Sequence, residues 1–526
     1  MKRRVYSGFA LMVLAVSFVV YWLRTAGGET LPEHAAALDR AVRLSPDYTD
    51  CCLPPNLAPL SFVVEESGKE YRVHVHGPAS DGFWITSRTA EIRFPETPWH
   101  ALLAELRGRA LWMDLYILGQ DDSWRLYRRV ENTIAWDEID SHVSYRMLTP
   151  IHVLSNNMGT YQRELTTFRQ TPILESKQGT AQRCVNCHTY VNNDPDTMLL
   201  HLRGGEGLAL LLVRDGQVTK VDAKAQFQGA PASYSAWHPR GQQIAISYNA
   251  MVQFFHTAGM RRDVFIFNSD LGIYDVDSNT VRTDPKIADP LRVETFPAWS
   301  PDGKYLYFSS APKTWKENTG SEGPVPDHFR DVRFDLMRVA YDEATGTWGP
   351  LETVLAADQV HMSILEPRVS PDGRRILVSM CEYGSFPVFQ KSSDLYFVDS
   401  ESGEHTRLAS NSDDSDSWHS WSSNGRWIVF ASKRLDGLFG RLFFAHVDAE
   451  GVVAKPFLLP QEDPRFYETC YQNYNAPEFA IKAVSVPQQA FLKSIYEDAT
   501  IPVKADPLSA RPGVAPAQPV PVGPLE

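Results

Sequence analysis

A chain of 526 residues is too long for one compact core and divides into two or three domains at roughly 100 to 200 residues each. Hydrophobic residues at 43% and charged residues at 22% exclude general disorder. A net charge of -13, from 51 Lys+Arg against 64 Asp+Glu, argues against phosphate-binding surfaces, so no nucleic-acid partner is expected.

In chain order, Lys2, Arg3 and Arg4 precede a mostly apolar run over 5–23, which ends in Tyr21, Trp22 and Leu23 rather than in small residues. That length just crosses a bilayer, and the basic flank stays inside. Residues 1–24 are therefore expected to be an uncleaved transmembrane signal anchor. It makes the chain single-pass in the cytoplasmic membrane, with its bulk in the periplasm or outside. Residues 25–55 read as a linker and short helix, with Ala35, Ala36, Ala37, Leu38, Ala41, Val42 and Leu44 on its apolar face. Cys51, Cys52, Cys381 and Cys470 lie outside any motif; one of the adjacent pair bridging to Cys381 or Cys470 is an option, with the connectivity open.

Over 56–150, short alternating segments such as EYRVHVHG, LWMDLYILG and VSYRML are punctuated by Gly, Pro and Asp, the pattern of a β-sandwich-like domain. One helix is expected at WHALLAELRG. His74 and His76 fall on one strand face, where a packed or solvated face is favoured over a metal site for want of a third ligand.

Residues 151–205 contain the sequence CVNCH, Cys184 to His188. Two intervening residues suit two thiols to one porphyrin edge, and the adjacent imidazole suits the iron. Composition alone would give this pattern about 0.002 times in such a chain, and no second C-x-x-C offers a zinc site. One covalent haem c is expected, held by Cys184 and Cys187 with His188 on the iron. With helices around NNMGTYQRELTTF and DPDTMLLHL, Met198 and His201 share a helical face. Met198 is the expected sixth ligand and His201 its rival. Arg203 is a propionate partner, and His152, Met158 or an open iron are remoter alternatives.

Over 206–490 a unit recurs: YSAWHPRGQQIAIS, FPAWSPDGKYLYFSS, EPRVSPDGRRILVSM and HSWSSNGRWIVFASK. Strand–turn–strand copies 52 to 70 residues apart predict a β-propeller, with five blades expected and six as the alternative. Its long second-to-third connections carry aromatic rings: Phe254, Phe255 and His256; Trp315, His328 and Phe329; Tyr383, Phe386 and Phe389. Residues 491–526, rich in Pro towards the end, read as a disordered tail.

These repeats resemble TolB-like propellers. Together with one CxxCH, an N-terminal anchor, PPNLAPLSF, SYRML, MGTYQREL and MLLHLRG, the chain resembles a family of bacterial membrane-anchored TolB-like propeller cytochromes over about 46–479. The resemblance implies haem binding more than a reaction. With no other catalytic constellation visible, the expectation is a mono-haem electron carrier whose propeller docks a redox partner protein or envelope complex. A TolB-like binding or redox-sensing protein and a haem-dependent oxidoreductase are the alternatives.

Overall fold

The computed structural model describes residues 34–149, 158–176, 184–203, 209–222, 231–255, 262–315, 325 and 328–505. The expected anchor and residues 506–526 of the tail lie outside them, as does His152. None of the described helices is long and apolar enough to cross a membrane.

The chain is mainly β. The helix expected in 25–55 is instead the strand Ala36–Ala41, which pairs in parallel with Trp124–Arg128 on the sheet edge. A run of alanines favours helix locally, but an open sheet edge satisfies the same backbone groups. Beyond it, a seven-stranded sheet and a three-stranded sheet enclose a core of Phe62, Val73, Val75, Leu111 and Met113. The alternation of Glu70–Gly77 is carried through, with one side of the strand buried and the other half-exposed. The expected helix is present as Glu96–Glu105; its Trp99 is fully buried, and the indole Nε1 donates to Leu57 O at 2.9 Å.

The sandwich ends before 150, because His142–Leu148 pairs elsewhere. Among the described residues, six four-stranded antiparallel sheets account for the rest of the fold. From inner to outer strand, blade 1 comprises Asn473–Ala480, His142–Leu148, Met158–Glu164 and Gln170–Glu175. Blade 2 comprises Cys184–Val191, Asp194–Arg203, Ala209–Arg214 and Gln217–Asp222. Blades 3 to 6 begin with the inner strands Ala232–Trp237, Arg292–Trp299, Ser363–Val369 and Asp416–Trp421. Each inner strand touches the next, and that of blade 1 touches those of blades 6 and 2, closing a ring. Blade 1 thus takes its inner strand from near the C-terminus and its other three from before blade 2, a closure that joins the two ends of the ring.

Among the described residues the blade count is the alternative of six, and those described within 151–205 belong to blades 1 and 2 rather than to a separate segment. Both helices expected in 151–205 are strands: Met158–Glu164 belongs to blade 1, and Asp194–Arg203 to blade 2. MLLHL is buried on both sides of its sheet, so its apolar run lacks the period of two that would have marked a strand. Residues 491–505, expected in the tail, are instead structured. Helix Gln488–Tyr496 packs on blade 2, after which Ile501–Pro502 and Lys504–Ala505 pair in parallel with the outer strands of blades 2 and 3.

Candidate functional site at the propeller axis

All six inner strands carry an irregularity at one level. Pairing shifts by one residue between Val185 and His188, Ala232 and Ser235, Thr295 and Ala298, Leu365 and Arg368, and Ser417 and His419. It shifts likewise between Asn475 and Glu478, opposite Arg146 and Ser144. An extra residue in one strand turns its side chains out of strict alternation and re-aims them. In four blades the extra residue takes a left-handed conformation, with φ of 53° at Phe296, 56° at Glu366, 48° at Trp418 and 45° at Ala476. The aligned position in blade 2 is Cys187, and the next residue is His188.

These six bulges line a cavity at the axis of ≈ 610 Å³, counting its open mouth. The bulged residues Cys187, Tyr234, Phe296, Glu366, Trp418 and Ala476 form one tier. Their successors His188, Ser235, Pro297, Pro367, His419 and Pro477 form another, and Thr189, Arg368 and Glu478 continue it. Tyr234 stacks on Phe296 at 4.2 Å and meets Trp418 at 5.7 Å, so one side of the cavity is aromatic. Glu366, on the blade between those of Phe296 and Trp418, sets a carboxyl among these rings and accepts from Trp418 N at 2.8 Å and from Ser379 Oγ at 3.0 Å. Burial pushes the Glu366 carboxyl up to about 7, with both donors acting the other way.

Two histidines occupy the same register position in different blades. His419 is satisfied, its Nε2 bonding Leu377 O at 2.9 Å with Ser379 Oγ near Nδ1 at 3.4 Å. His188 is buried, yet neither ring nitrogen has a hydrogen-bond partner among the described residues. Burial, then the charges of Arg368 and Arg146, push its imidazole down to about 3, with the nearby Ser144 backbone acting in the opposite sense. A buried neutral imidazole without a partner is costly unless it serves as a ligand.

The bulge also bears on the thiols. Three residues apart on a regular strand, positions 184 and 187 would fall on opposite faces. Position 185 pairs with 202 and position 188 with 200, so the extra residue falls between them, at the level of Cys187. Cys187 is half-buried and lines the cavity beside His188. Cys187 and His188, side by side on the cavity wall, are a thiol and imidazole pair of the kind a c-type haem requires.

The expected sixth ligand is not brought to this site. Met198 is fully buried in the apolar cluster between blades 1 and 2, with Val185, Tyr190 and Leu200, and does not line the cavity. Because Asp194–Arg203 is a strand, Met198 and His201 face opposite sides of it. His201 does line the cavity, and its Nε2 bonds Ser235 Oγ at 2.9 Å. Sequence reasoning missed Glu366, Arg368 and His419, which lie at equivalent places in the repeats EPRV and HSW and could have been found by aligning them with CHTY. Cys51, Cys52, Cys381 and Cys470 are free thiols, so none of the considered bridges forms.

No protein-family model matches the chain, and no curated protein matches it. Among solved structures, it is similar to TolB from Acinetobacter baumannii at 14% identity, covering 73% of this chain and 85% of that one, with a TM-score of 0.39. An apocarotenoid oxygenase mutant from Synechocystis is 11% identical over 82% of this chain and 95% of its own, with a TM-score of 0.38. A nidogen/laminin complex is 8% identical over 64% and 97%, with a TM-score of 0.38.

Proposed function

We propose that the chain is an exported mono-haem c-type cytochrome that transfers electrons, anchored to the cytoplasmic membrane through residues 1–24. The observation that carries this reading is the buried, unpartnered imidazole of His188 next to Cys187, within CVNCH, on the wall of the axial cavity. Cys184 and Cys187 hold the haem covalently, and His188 is its proximal ligand. His201 replaces Met198 as the favoured sixth ligand because it lines the same cavity. When bound, the group supplies reversible one-electron chemistry.

The chain's own residues bury and select. Tyr234, Phe296 and Trp418 offer apolar cover. The inner strand of blade 2 begins at Cys184 on the face from which the second-to-third connections emerge. That face is the docking surface for a redox partner protein. Its rings partly pack on one another, as Phe386 does on Phe389 at 6.1 Å and Trp315 on Phe265 at 4.8 Å.

The test is a redox titration of the purified protein with optical detection, followed by assay with peroxide and small reductants. A single reversible one-electron wave without multiple turnovers is expected. Sustained turnover would replace electron transfer with the haem-dependent oxidoreductase reading.

A further inference from the structure

In the sandwich domain, far along the chain from CVNCH, the half-exposed side of strand Glu70–Gly77 carries His74 and His76 two residues apart. Period-two geometry stands both rings on one face, where they stack at 4.1 Å. Register supplies what the sequence could not: Asp114, on the neighbouring strand Ala110–Leu118, lies directly opposite His74. Its Oδ2 meets His76 Nε2 at 3.0 Å. One donor atom from each of the three residues falls within 4.8 Å of the others.

We propose that His74, His76 and Asp114 bind one divalent transition-metal ion of the zinc class. Two imidazoles and one carboxylate match the donor set of zinc sites with three protein ligands and a fourth position for water or an exogenous ligand. Imidazole donors select against calcium and magnesium. Donor atoms about 2.0 to 2.2 Å from a tetrahedral ion stand roughly 3.3 Å apart, so closure needs the stacked imidazoles to rotate until their in-plane lone pairs converge.

The surrounding groups hold the donors as ligands are held elsewhere. His74 Nε2 bonds Asp81 O at 2.8 Å, leaving Nδ1 as the donor, and a carbonyl on the non-ligating nitrogen fixes a metal-binding imidazole. Trp84 stacks on His74 at 4.3 Å, and the edge of Trp112 lies 5.5 Å from His76. Arg129 clamps Asp114 with two bonds of 2.8 Å. It occupies two of the roughly four lone-pair positions of the carboxylate, fixes its orientation and leaves positions for an ion. Its positive charge also lowers affinity, so the site is weaker than one built on thiolates.

The full-length protein, treated with EDTA and dialysed, would be titrated with zinc chloride beside His76→Ala and Asp114→Asn. One equivalent bound by the wild type, with affinity at least about 100-fold lower in both variants, is expected. Zinc should raise the melting temperature of the wild type only. Equal binding by wild type and variants would overturn the site. If a variant melts lower than the wild type in EDTA, the copper(II) EPR spectrum of the wild type decides: coupling to two histidine nitrogens sustains the proposal, and its absence rejects it.

Discussion

At the residue scale, His188 and His419 make an internal comparison. They occupy one register position in two blades, one bonded to Leu377 O and the other without a ring partner among the described residues. His188→Ala should therefore retain covalent haem through the thiols but lose the visible spectrum of a histidine-ligated iron. Met198→Leu should leave that spectrum unchanged, because Met198 packs between blades. The sulfur-to-iron charge-transfer band is expected to be absent already in the wild type; its presence there and loss in Met198→Leu would restore Met198 as ligand.

Glu366 and His419 titrate in opposite senses. Burial raises Glu366 from 4.5 to about 7, so its contribution is fully present below the unfolded value and is lost as pH rises through the folded one. Burial and Arg368 lower His419 from 6.5 to about 3, so stability falls as pH drops from about 6.5 toward 3. Glu366→Gln should consequently gain stability over the wild type by on the order of 3 kcal/mol between about pH 5 and about pH 8. Urea midpoints at the two pH values measure it, and an unchanged difference would contradict the assignment.

At the element scale, the decisive feature is the bulge in Cys184–Val191. Deleting Asn186 would remove the extra residue and shorten the C-x-x-C-H spacing to C-x-C-H, leaving one residue between the two thiols. Doubly attached haem should then fall sharply while blade 2 keeps its sheet, measurable by intact mass alongside circular dichroism. The sandwich strands and the four repeats were legible in the sequence because each carries a fixed spacing or a period of two. The bulges were not, since one extra residue leaves no periodic mark. Nor was the strand Asp194–Arg203, whose apolar run is buried on both faces, and this error turned Met198 toward the haem. Asp114 as a neighbour of His74 and His76 depends on cross-strand register, which no local pattern carries.

At the scale of the whole molecule, the ring is closed by Asn473–Ala480 and strapped outside by the C-terminal chain. Phe491, fully buried with Val484, Val486 and Ile495, fastens that strap to blade 2. Phe491→Ala should cost about 3–5 kcal/mol by chemical denaturation, through lost burial and the cavity left behind; a loss within ~0.5 kcal/mol would show the strap to be marginal. The sandwich is fastened to blade 6 instead: Asp140 Oδ2 accepts from Ser423 N at 2.8 Å and Asn424 Nδ2 donates to Glu138 O at 2.7 Å. The C-terminal strap thus grips blades 2 and 3, and the sandwich grips blade 6.

The central claim is that this axial cavity takes a covalently bound haem. The direct measurement is the intact mass of the denatured full-length protein, produced in a bacterial host able to mature c-type cytochromes, together with Cys184→Ala and Cys187→Ala. The account predicts a wild-type mass equal to the chain plus one haem, with attachment weakened in either single variant and absent in the double. A wild-type chain carrying no added mass and two free thiols at Cys184 and Cys187 would contradict it.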